Sequence, residues 1–427
     1  MELFTLLRFA PAVQIEDDPC LASGSQANYR DCVTTRPPAL SATIDDALAA
    51  DLAQLRACDR ERSLRQVWNR RGAVVQTKQG TAVDFSSNDY LGLASDPRIA
   101  AAATESIARM GVGAGAARLI SGNTPEHDAL DEDIAHWFGA ERALSFSTGY
   151  AANVGTISAL VGRGDVIFSD ALNHASVIDG CRLSRATVHI YPHADVDALA
   201  ALLDRHRASA RRALIVTDGL FSMDGDAAPI ADIVDLARRF DAWSYVDDAH
   251  AAGVVGPDGL GTAAAAGVHG EVDVTVGTLG KSFGAAGAFV YGSDVLARYL
   301  MNTARSFIFS TAMIPAQAAA AREALRIARA EPERRERLLE NAKRLGHHER
   351  SEGSGHSISH IIPLMIGDDA RTMQIGAALA ERGFLVGAIR PPTVPVGTAR
   401  LRITATAAHT DEQIAGLGAA LSRALRT

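Results

Sequence analysis

The chain has 427 residues, of which 47% are hydrophobic and 22% are charged, and its formal net charge is −8. This composition provides enough apolar material for a large core and two or three domains. An acidic balance without a long basic run argues against a nucleic-acid partner. No apolar run reaches the length of about 20 residues that a membrane-spanning helix requires.

The first forty residues show no hydrophobic periodicity, and we expect an extension of uncertain order over residues 1–40. Its first thirteen residues are mildly apolar, but Glu2 and Arg8 interrupt them, which favours a peripheral arm over a signal peptide. The cysteines lack metal-ligand spacing, which predicts free thiols in a reducing cytoplasm. They are Cys20, Cys32, Cys58 and Cys181.

Residues 41–95 form an N-terminal segment that begins with a predicted amphipathic helix. Its apolar residues recur at helical spacing at Ile44, Leu48, Leu52 and Leu55. A cluster of arginines follows, typical of a solvated face that can also receive a carboxylate. Its members are Arg60, Arg62, Arg65, Arg70 and Arg71. A strand at 82–85 and a turn-rich loop at 86–93 end the segment.

Helices and strands alternate regularly between residues 96 and 327. A helix is predicted over 97–110, and strands over 142–146, 165–169, 213–217, 243–246, 274–276 and 288–291. This alternation predicts a large α/β domain around a mostly parallel central sheet. Residues 111–117 fit the dinucleotide pattern GxGxxA, but they follow a helix rather than a strand, so we reject a Rossmann site there.

Polar residues lie where these strands end. Because ligands of parallel sheets bind at the carboxyl ends of the strands, their convergence predicts a functional site. The residues are Thr148, Gly149, His174, Ser222, Asp247, His250, Thr278 and Lys281.

The pattern changes after residue 327, and we expect a smaller α+β domain over residues 328–427. Helices are predicted at 331–344, 370–382 and 411–426, and strands at 361–366, 384–390 and 399–404. The segment between the first helix and the first strand contains His347, His348 and His356. Its Gly/Ser/Glu composition favours a solvated loop over a metal site.

Lys281 is the only lysine between Lys78 and Lys343, and it lies in a glycine-rich turn directly after a β-branched run. A phosphate-binding P-loop would need a glycine where Thr275 stands, which excludes that motif. The GxSxG motif of serine hydrolases is absent. Asp247 and His250 have no further cluster with metal-ligand spacing.

The hypothesis that Lys281 forms a Schiff base with pyridoxal phosphate gives each of the strand-end residues a role. This cofactor needs a lysine, a carboxylate for its ring nitrogen, a flat group over the ring, and donors for its phenolic oxygen and phosphate. The convergence of such groups disfavours the alternative that Lys281 is an ordinary solvated turn residue.

Several long motifs resemble the α-oxoamine synthase family of fold-type I pyridoxal-phosphate enzymes, in the family's order, between about residues 63 and 420. They are DFSSNDYLGL, SGNTPEHDALDEDIAHW, STGYAAN, NHAS, DGLFSMDGD, VDDAH, TLGKSFG and AIRPPTVPVGTARLRIT. The resemblance implies that Lys281 holds the cofactor and later removes the α-proton of the amino acid. It further implies that His174 stacks on the ring, Asp247 holds the ring nitrogen, and His250 and Ser222 bond to the ring-oxygen side.

The resemblance also assigns phosphate and substrate contacts. The main-chain N–H groups of Gly149 and Tyr150, together with Thr278, would hold the phosphate. Ser310 and Thr311 would reach the phosphate in the partner subunit of a homodimer. The implied substrate-binding residues are Arg390 for the amino-acid carboxylate, Asn88 nearby, Arg65 for a distal carboxylate, and Thr393.

Residues 388–395 resemble the branch of the family that condenses L-alanine with a pimeloyl thioester in biotin biosynthesis. The implied enzyme is a C-acyltransferase that releases CO2 and the free carrier, either coenzyme A or an acyl carrier protein. The alternative is the same chemistry with another acyl thioester, or with glycine or serine as the amino acid.

Overall fold

A computed structural model of the chain describes residues 43–58, 60–350 and 359–426, without the side chains of residues 347–350. The extension expected at 1–40 and the three histidine side chains of the predicted loop lie outside the described residues.

The described helices begin and end at the following residues: α1 Ile44–Ala57, α2 Pro97–Met110, α3 Pro125–Phe138, α4 Gly149–Leu160, α5 Ala175–Ser184, α6 Val196–His206, α7 Ile230–Arg239, α8 Thr262–Ala265, α9 Asp294–Thr303, α10 Arg305–Ile308, α11 Pro315–Ala330, α12 Glu333–Arg350, α13 Asp369–Glu381 and α14 Asp411–Ala424. A short π-helix covers Arg118–Gly122, and single 3-10 turns cover Arg207–Ser209 and Pro257–Gly259.

The strands are β1 Val67–Arg71, β2 Val74–Thr77, β3 Gly80–Asp84, β4 Arg142–Phe146, β5 Val166–Asp170, β6 Thr187–Tyr191, β7 Ala213–Asp218, β8 Trp243–Asp247, β9 Val274–Thr278, β10 Ala288–Gly292, β11 Ile361–Gly367, β12 Phe384–Leu385, β13 Gly387–Ile389 and β14 Ala399–Thr404. The large central sheet has the order β4-β10-β9-β8-β7-β5-β6. Strand β10 runs antiparallel to both of its neighbours, and the other pairs are parallel. This arrangement confirms the predicted α/β fold with a mostly parallel sheet.

Neighbouring residues of the central strands point into two different cores. On β7, Ile215 packs in the layer with α6 and α7, whereas Val216 packs in the layer with α4. Strands β5, β7 and β9 are buried along their whole length, as expected for a sheet that is covered by helices on both faces. Each such aliphatic side chain contributes about 1.5–3 kcal/mol when it is fully buried.

Two smaller sheets complete the fold. One has the order β1-β2-β3-β12 and the other the order β11-β14-β13. The strand predicted over 384–390 is wrong as a single element, because the chain changes sheets at Val386, so that β12 pairs with β3 and β13 pairs with β14. Three strands were not predicted. Strands β1 and β6 lie at the edges of their sheets, where exposed residues weaken the apolar pattern, and β2 is a strand of only four residues between β1 and β3.

The ends of several helices differ slightly from expectation. Helix α12 continues to Arg350, into the segment that was predicted to be a loop. Helix α1 forms as predicted and buries no residue; Ile44 and Leu48 of its apolar stripe are 75% and 52% exposed. No helix in the described part of the chain is long and apolar enough to cross a membrane.

Candidate active site

The turn after β9 directs Lys281 into the interior at the carboxyl edge of the central sheet. Gly284 of this turn has φ of 58°, and a Cβ there would lie 2.3 Å from the backbone nitrogen of Ala94. Only glycine fits such a position without a backbone shift. The Nζ of Lys281 lies 2.8 Å from Nε2 of His250, whose Nδ1 lies 2.6 Å from the hydroxyl of Tyr90.

The surroundings of Lys281 favour the neutral amine. Burial lowers its pKa to about 8, although the nearby carboxylates of Asp247 and Asp218 oppose the change; the cation of Arg402 lowers it further. Burial also holds the pKa of His250 well below its usual value. An amine with a pKa of about 8 is deprotonated for a useful fraction of the time near neutral pH, as a nucleophile or base requires.

Two carboxylates lie side by side at the ends of β7 and β8, where Asp218 and Asp247 are paired in register. Asp247 accepts hydrogen bonds from the side-chain amide of Asn153 at 2.6 Å and from the backbone N–H of Ala249 at 3.0 Å. Burial, together with the charge of Asp247, raises the pKa of Asp218 well above its usual value. The carboxyl group of Asp218 is therefore favoured in its protonated, uncharged form.

The neighbouring Asp248 does not join a metal site. Its carboxylate accepts hydrogen bonds from the backbone and hydroxyl of Thr262 at 2.9 and 2.7 Å. Among residues 43–58, 60–350 and 359–426, no group of His, Cys, Asp and Glu side chains is arranged to hold a metal ion.

His174 immediately precedes α5 and lies between these groups. Its backbone N–H donates to Asp218 at 3.2 Å, and its ring Nδ1 lies 2.7 Å from the hydroxyl of Ser176. Burial lowers the pKa of the ring, although the charge of Asp247 opposes this effect. The imidazole is therefore neutral near pH 7.

The N-terminus of α4 provides a place for an anion. The first intrahelical hydrogen bond runs from Ala152 to the carbonyl of Thr148, so the N–H groups of Gly149 and Tyr150 precede the helix ladder. A Cβ on Gly149 would lie 3.1 Å from the methyl group of Thr278, so that the backbone of α4 and the end of β9 meet closely. The hydroxyl of Tyr150 hydrogen-bonds to the carboxylate of Asp179.

Strand β14 brings a buried cation to the same region. Arg402 donates to the carbonyl of Ser222, and to the side-chain oxygen of Asn88 at 3.3 Å. The hydroxyl of Tyr90 donates to the same oxygen of Asn88 at 3.1 Å. Asn88 and Ser222 are therefore joined to Lys281 through Arg402, Tyr90 and His250.

The remaining predicted substrate residues lie near the segment at 60–66. Arg390 donates to the carbonyl of Glu61 at 3.0 Å and approaches the sulfur of Met373 at 3.0 Å. Thr393 lies 3.5 Å from the guanidinium of Arg62. Arg65 is exposed, and the described contacts do not connect it with Lys281.

Ser310 and Thr311 follow the short helix α10, and Ser147, which precedes α4, lines the same small cavity as they do. Thr311 is exposed and forms an isolated bridge with Ala117. Three apolar side chains near this bridge are exposed: Leu119 is 46%, Ile120 79% and Phe309 70% exposed.

Sequence reasoning missed three residues of this site: Tyr90, Asn153 and Arg402. Tyr90 and Asn153 belong to the DFSSNDYLGL and STGYAAN motifs, but those motifs alone did not show which side chain each would contact. Arg402 alternates with Arg400 on β14, and a charged pair at period two within an apolar strand is a signal that could have been used.

Together the fold and the site define a class of protein. The family model for aminotransferase class I and II matches residues 81–421. The chain belongs to this family, and within it to the pyridoxal-phosphate-dependent α-oxoamine synthases.

Individual proteins of this class are similar to the chain over most of its length. An 8-amino-7-oxononanoate synthase from Anaeromyxobacter dehalogenans (strain 2CP-1) is 50% identical over 382 residues, covering 89% of this chain and 96% of the relative. One from Methylococcus capsulatus (strain Bath) is 50% identical over 386 residues, covering 90% and 99%. A solved serine palmitoyltransferase from S. paucimobilis with a bound pyridoxal-phosphate–myriocin aldimine is 30% identical, covers 89% and 97%, and superposes with a TM-score of 0.85.

The residues present fit pyridoxal phosphate. The edge of the sheet holds Lys281 with its lowered pKa, the carboxyl pair Asp218 and Asp247, and the neutral imidazole of His174. The N–H groups at the start of α4 lie close to the end of β9. These are the groups that an aldehyde, a pyridine nitrogen, an aromatic ring and a phosphate require.

Proposed function

We propose that the chain catalyses the reaction of its 8-amino-7-oxononanoate synthase relatives, in which L-alanine and a pimeloyl thioester give 8-amino-7-oxononanoate, CO2 and the free carrier. Two relatives of that name, each 50% identical over about nine-tenths of the chain, support this substrate choice. The observation that carries the chemistry is the inward-facing Lys281, 2.8 Å from a neutral His250 at the edge that also holds Asp247.

Pyridoxal phosphate, when bound, supplies a conjugated ring that accepts the electron pair left on the α-carbon. We assign Asp247 to the ring nitrogen, because its two oxygens keep one lone pair each after they accept from Asn153 and Ala249. Gly149, Tyr150 and Thr278 would hold the phosphate, and His250 and Ser222 would face the ring oxygen. His174 would cover one face of the ring.

Lys281 would hold the cofactor and, once the amino acid displaces it, take the α-proton onto Nζ. A pKa of about 8 suits both roles, because the amine must be neutral to act and must then keep the proton for its return. His250 would help to keep Nζ in place through its ring nitrogen.

Substrate carboxylates call for arginine, whose planar group binds a carboxylate through two parallel hydrogen bonds. We assign Arg390, which is 9% exposed, to the carboxylate of alanine, with Asn88 nearby. The exposed Arg65, and Thr393 beside Arg62, would bind the distal end of the acyl chain.

The assembly we propose is a cytoplasmic homodimer. The apolar surface formed by Leu119, Ile120 and Phe309 beside Thr311 supports this assignment, since a partner would cover it. Ser310 and Thr311 would then complete the partner's phosphate site. The acyl group would arrive on coenzyme A or on an acyl carrier protein.

A product assay tests the proposal. Purified protein is incubated with L-alanine, glycine or L-serine against pimeloyl, acetyl, succinyl and palmitoyl thioesters, and the products are identified by mass. We expect the alanine–pimeloyl pair to give the highest kcat/KM, on at least one of the two carriers. A preference for another amino acid or acyl donor would replace the substrate assignment while leaving the cofactor chemistry intact.

Two variants test the residue roles. Lys281→Ala should abolish the visible absorbance band of the lysine-bound cofactor and product formation, whereas Lys343→Ala should retain both. His174→Phe should retain the cofactor but lose rate or discrimination between amino acids, because a phenyl ring can stack but cannot hydrogen-bond. Unchanged kinetics in His174→Phe would remove that residue from the catalytic group.

A further inference from the structure

Asn153 lies on the first turns of α4, is 1% exposed, and uses every polar atom of its side chain. Its amide nitrogen donates to Asp247 at 2.6 Å and to the hydroxyl oxygen of Ser176 at 2.8 Å. Its amide oxygen accepts from the hydroxyl of Tyr245 at 2.6 Å. The side chain therefore connects three different elements, β8, α5 and α4, behind the cofactor site.

The identity of these partners fixes the orientation of the amide. The carboxylate of Asp247 can only accept, so the nitrogen end of Asn153 must face it. The oxygen end then faces Tyr245, which is fully buried and donates to it. Reversing the amide would place its oxygen against the carboxylate and leave two buried acceptors facing each other.

The donors of Ser176 determine which ring nitrogen of His174 carries a hydrogen. Because the hydroxyl oxygen of Ser176 accepts one amide hydrogen from Asn153, its own hydrogen is available for Nδ1 of His174, 2.7 Å away. The backbone N–H of Ser176 points to the same nitrogen at 3.3 Å. A ring nitrogen that faces two donors is an acceptor, so the hydrogen of His174 is on Nε2.

We propose that Asn153 and Ser176 are positioning residues that join Asp247 to His174, so that the carboxylate keeps its orientation while the imidazole keeps its hydrogen on Nε2. Tyr245 holds the amide that makes this connection. The assignment of His174 and Asp247 to the cofactor rests on the proposed function, whereas the hydrogen-bond pattern does not. The hydrogen bonds run from Tyr245 to Asn153, from Asn153 to Ser176, and from Ser176 to His174. Asn153 also donates to Asp247.

This arrangement has a physical consequence for the protonation of His174. A proton on Nδ1 would face two donors, and the Ser176 hydroxyl would have to turn away from it. The charged and ionisable groups that face His174 are Asp218, Asp247, Lys281 and His250. The two donors that face Nδ1 favour the tautomer with the hydrogen on Nε2.

Nuclear magnetic resonance of the histidine rings tests the proposal on the full-length, cofactor-loaded protein labelled at histidine. The signals of His174 are assigned from their loss in His174→Gln. We expect an unprotonated Nδ1 and a protonated Nε2 in the wild type throughout the neutral pH range. A wild-type spectrum with the hydrogen on Nδ1, or with a doubly protonated ring, would overturn the proposal without any variant.

Substitutions then locate the cause. Ser176→Ala should raise the midpoint of His174 protonation and mix the two tautomers, and Ser176→Thr, which keeps a hydroxyl, should restore the wild-type pattern. Ser158→Ala is a matched control on α4, since its hydroxyl bonds to the carbonyl of Val154 at 2.6 Å and contacts none of these groups. A wild-type pattern in Ser176→Ala, with folding verified by circular dichroism, would refute the link.

Tyr245→Phe probes the other end of the chain of contacts. It leaves the amide oxygen of Asn153 buried without a donor, and we expect the affinity of the cofactor-free protein for pyridoxal phosphate to fall about tenfold. An unchanged affinity together with an unchanged His174 tautomer would remove Tyr245 from the proposal. Product formation is measured separately. If His174 carries its hydrogen on Nε2 but the product is not 8-amino-7-oxononanoate, only the substrate assignment is overturned. If that product forms but His174 carries its hydrogen on Nδ1, only this inference is overturned.

Discussion

Replacing Lys281 by methionine should stabilise the cofactor-free protein, because the wild-type lysine is held in surroundings that disfavour its charge. Burial lowers its pKa from 10.5 to about 8. At about 1.4 kcal/mol per pH unit, this difference corresponds to about 3 kcal/mol of stability that the wild type loses below about pH 8, where both the folded and the unfolded chain are protonated at this residue. Methionine has a similar length and carries no charge.

The sign of the pH dependence follows from the lowered pKa. The folded state binds fewer protons than the unfolded state between about pH 8 and 10.5, so the stability contributed by this residue rises with pH in that window. The advantage of Lys281→Met is therefore full below about pH 8 and disappears above about pH 10.5. Loss of the hydrogen bond to His250 and of the charge beside Asp247 reduces the gain to below the full 3 kcal/mol.

Chemical unfolding of the two cofactor-free proteins, at equal protein concentration and at several pH values, measures this difference. Lys78→Met serves as the control, because Lys78 is exposed on the turn between β2 and β3 and should show no such trend. A stability difference that does not change between neutral pH and pH 10.5, or that grows with pH, would refute the claim that burial disfavours the charged lysine.

Three further outcomes can be measured. His193→Gln should lose about 2 kcal/mol of stability below about pH 6.5 and nothing above about pH 10. Burial lowers the pKa of His193, but its hydrogen bonds to Asp170 and Asp226 outweigh burial and raise the pKa to about 10. A loss of stability that does not depend on pH would contradict this. Gly261→Ala should cost about 3 kcal/mol or prevent folding, because φ is 94° and the new Cβ would lie 1.8 Å from a carboxylate oxygen of Asp248; wild-type stability by thermal melting would contradict it. Recapture of pyridoxal phosphate by the cofactor-free protein, followed by absorbance, should accelerate with pH and level off above about pH 8, where the active-site lysine is neutral; a rate that falls with pH would contradict it.

The hydrophobic spacing along the sequence predicted much of the secondary structure. Helix α2 and strands β4 and β14 have the bounds that hydrophobic spacing predicted, and every other strand of the central sheet except β6 was predicted to within a residue or two. The exceptions have a physical reason. The split of residues 384–389 between two sheets depends on which strand lies beside each half. The edge strands β1 and β6 expose side chains that would otherwise give a pattern, and β2 has only four residues, too few to show one.

The sequence by itself determined the class of the fold, the edge of the sheet where polar residues meet, and the lysine at its centre, because these depend on residues near one another along the chain. Only the tertiary structure decided which atoms touch. Tyr90 lies 160 positions from His250, and Asn153 lies 94 from Asp247, yet each pair is hydrogen-bonded at 2.6 Å. Such contacts depend on how helices pack across the sheet and on which donors remain available in the interior, and no pattern of neighbouring residues contains that information.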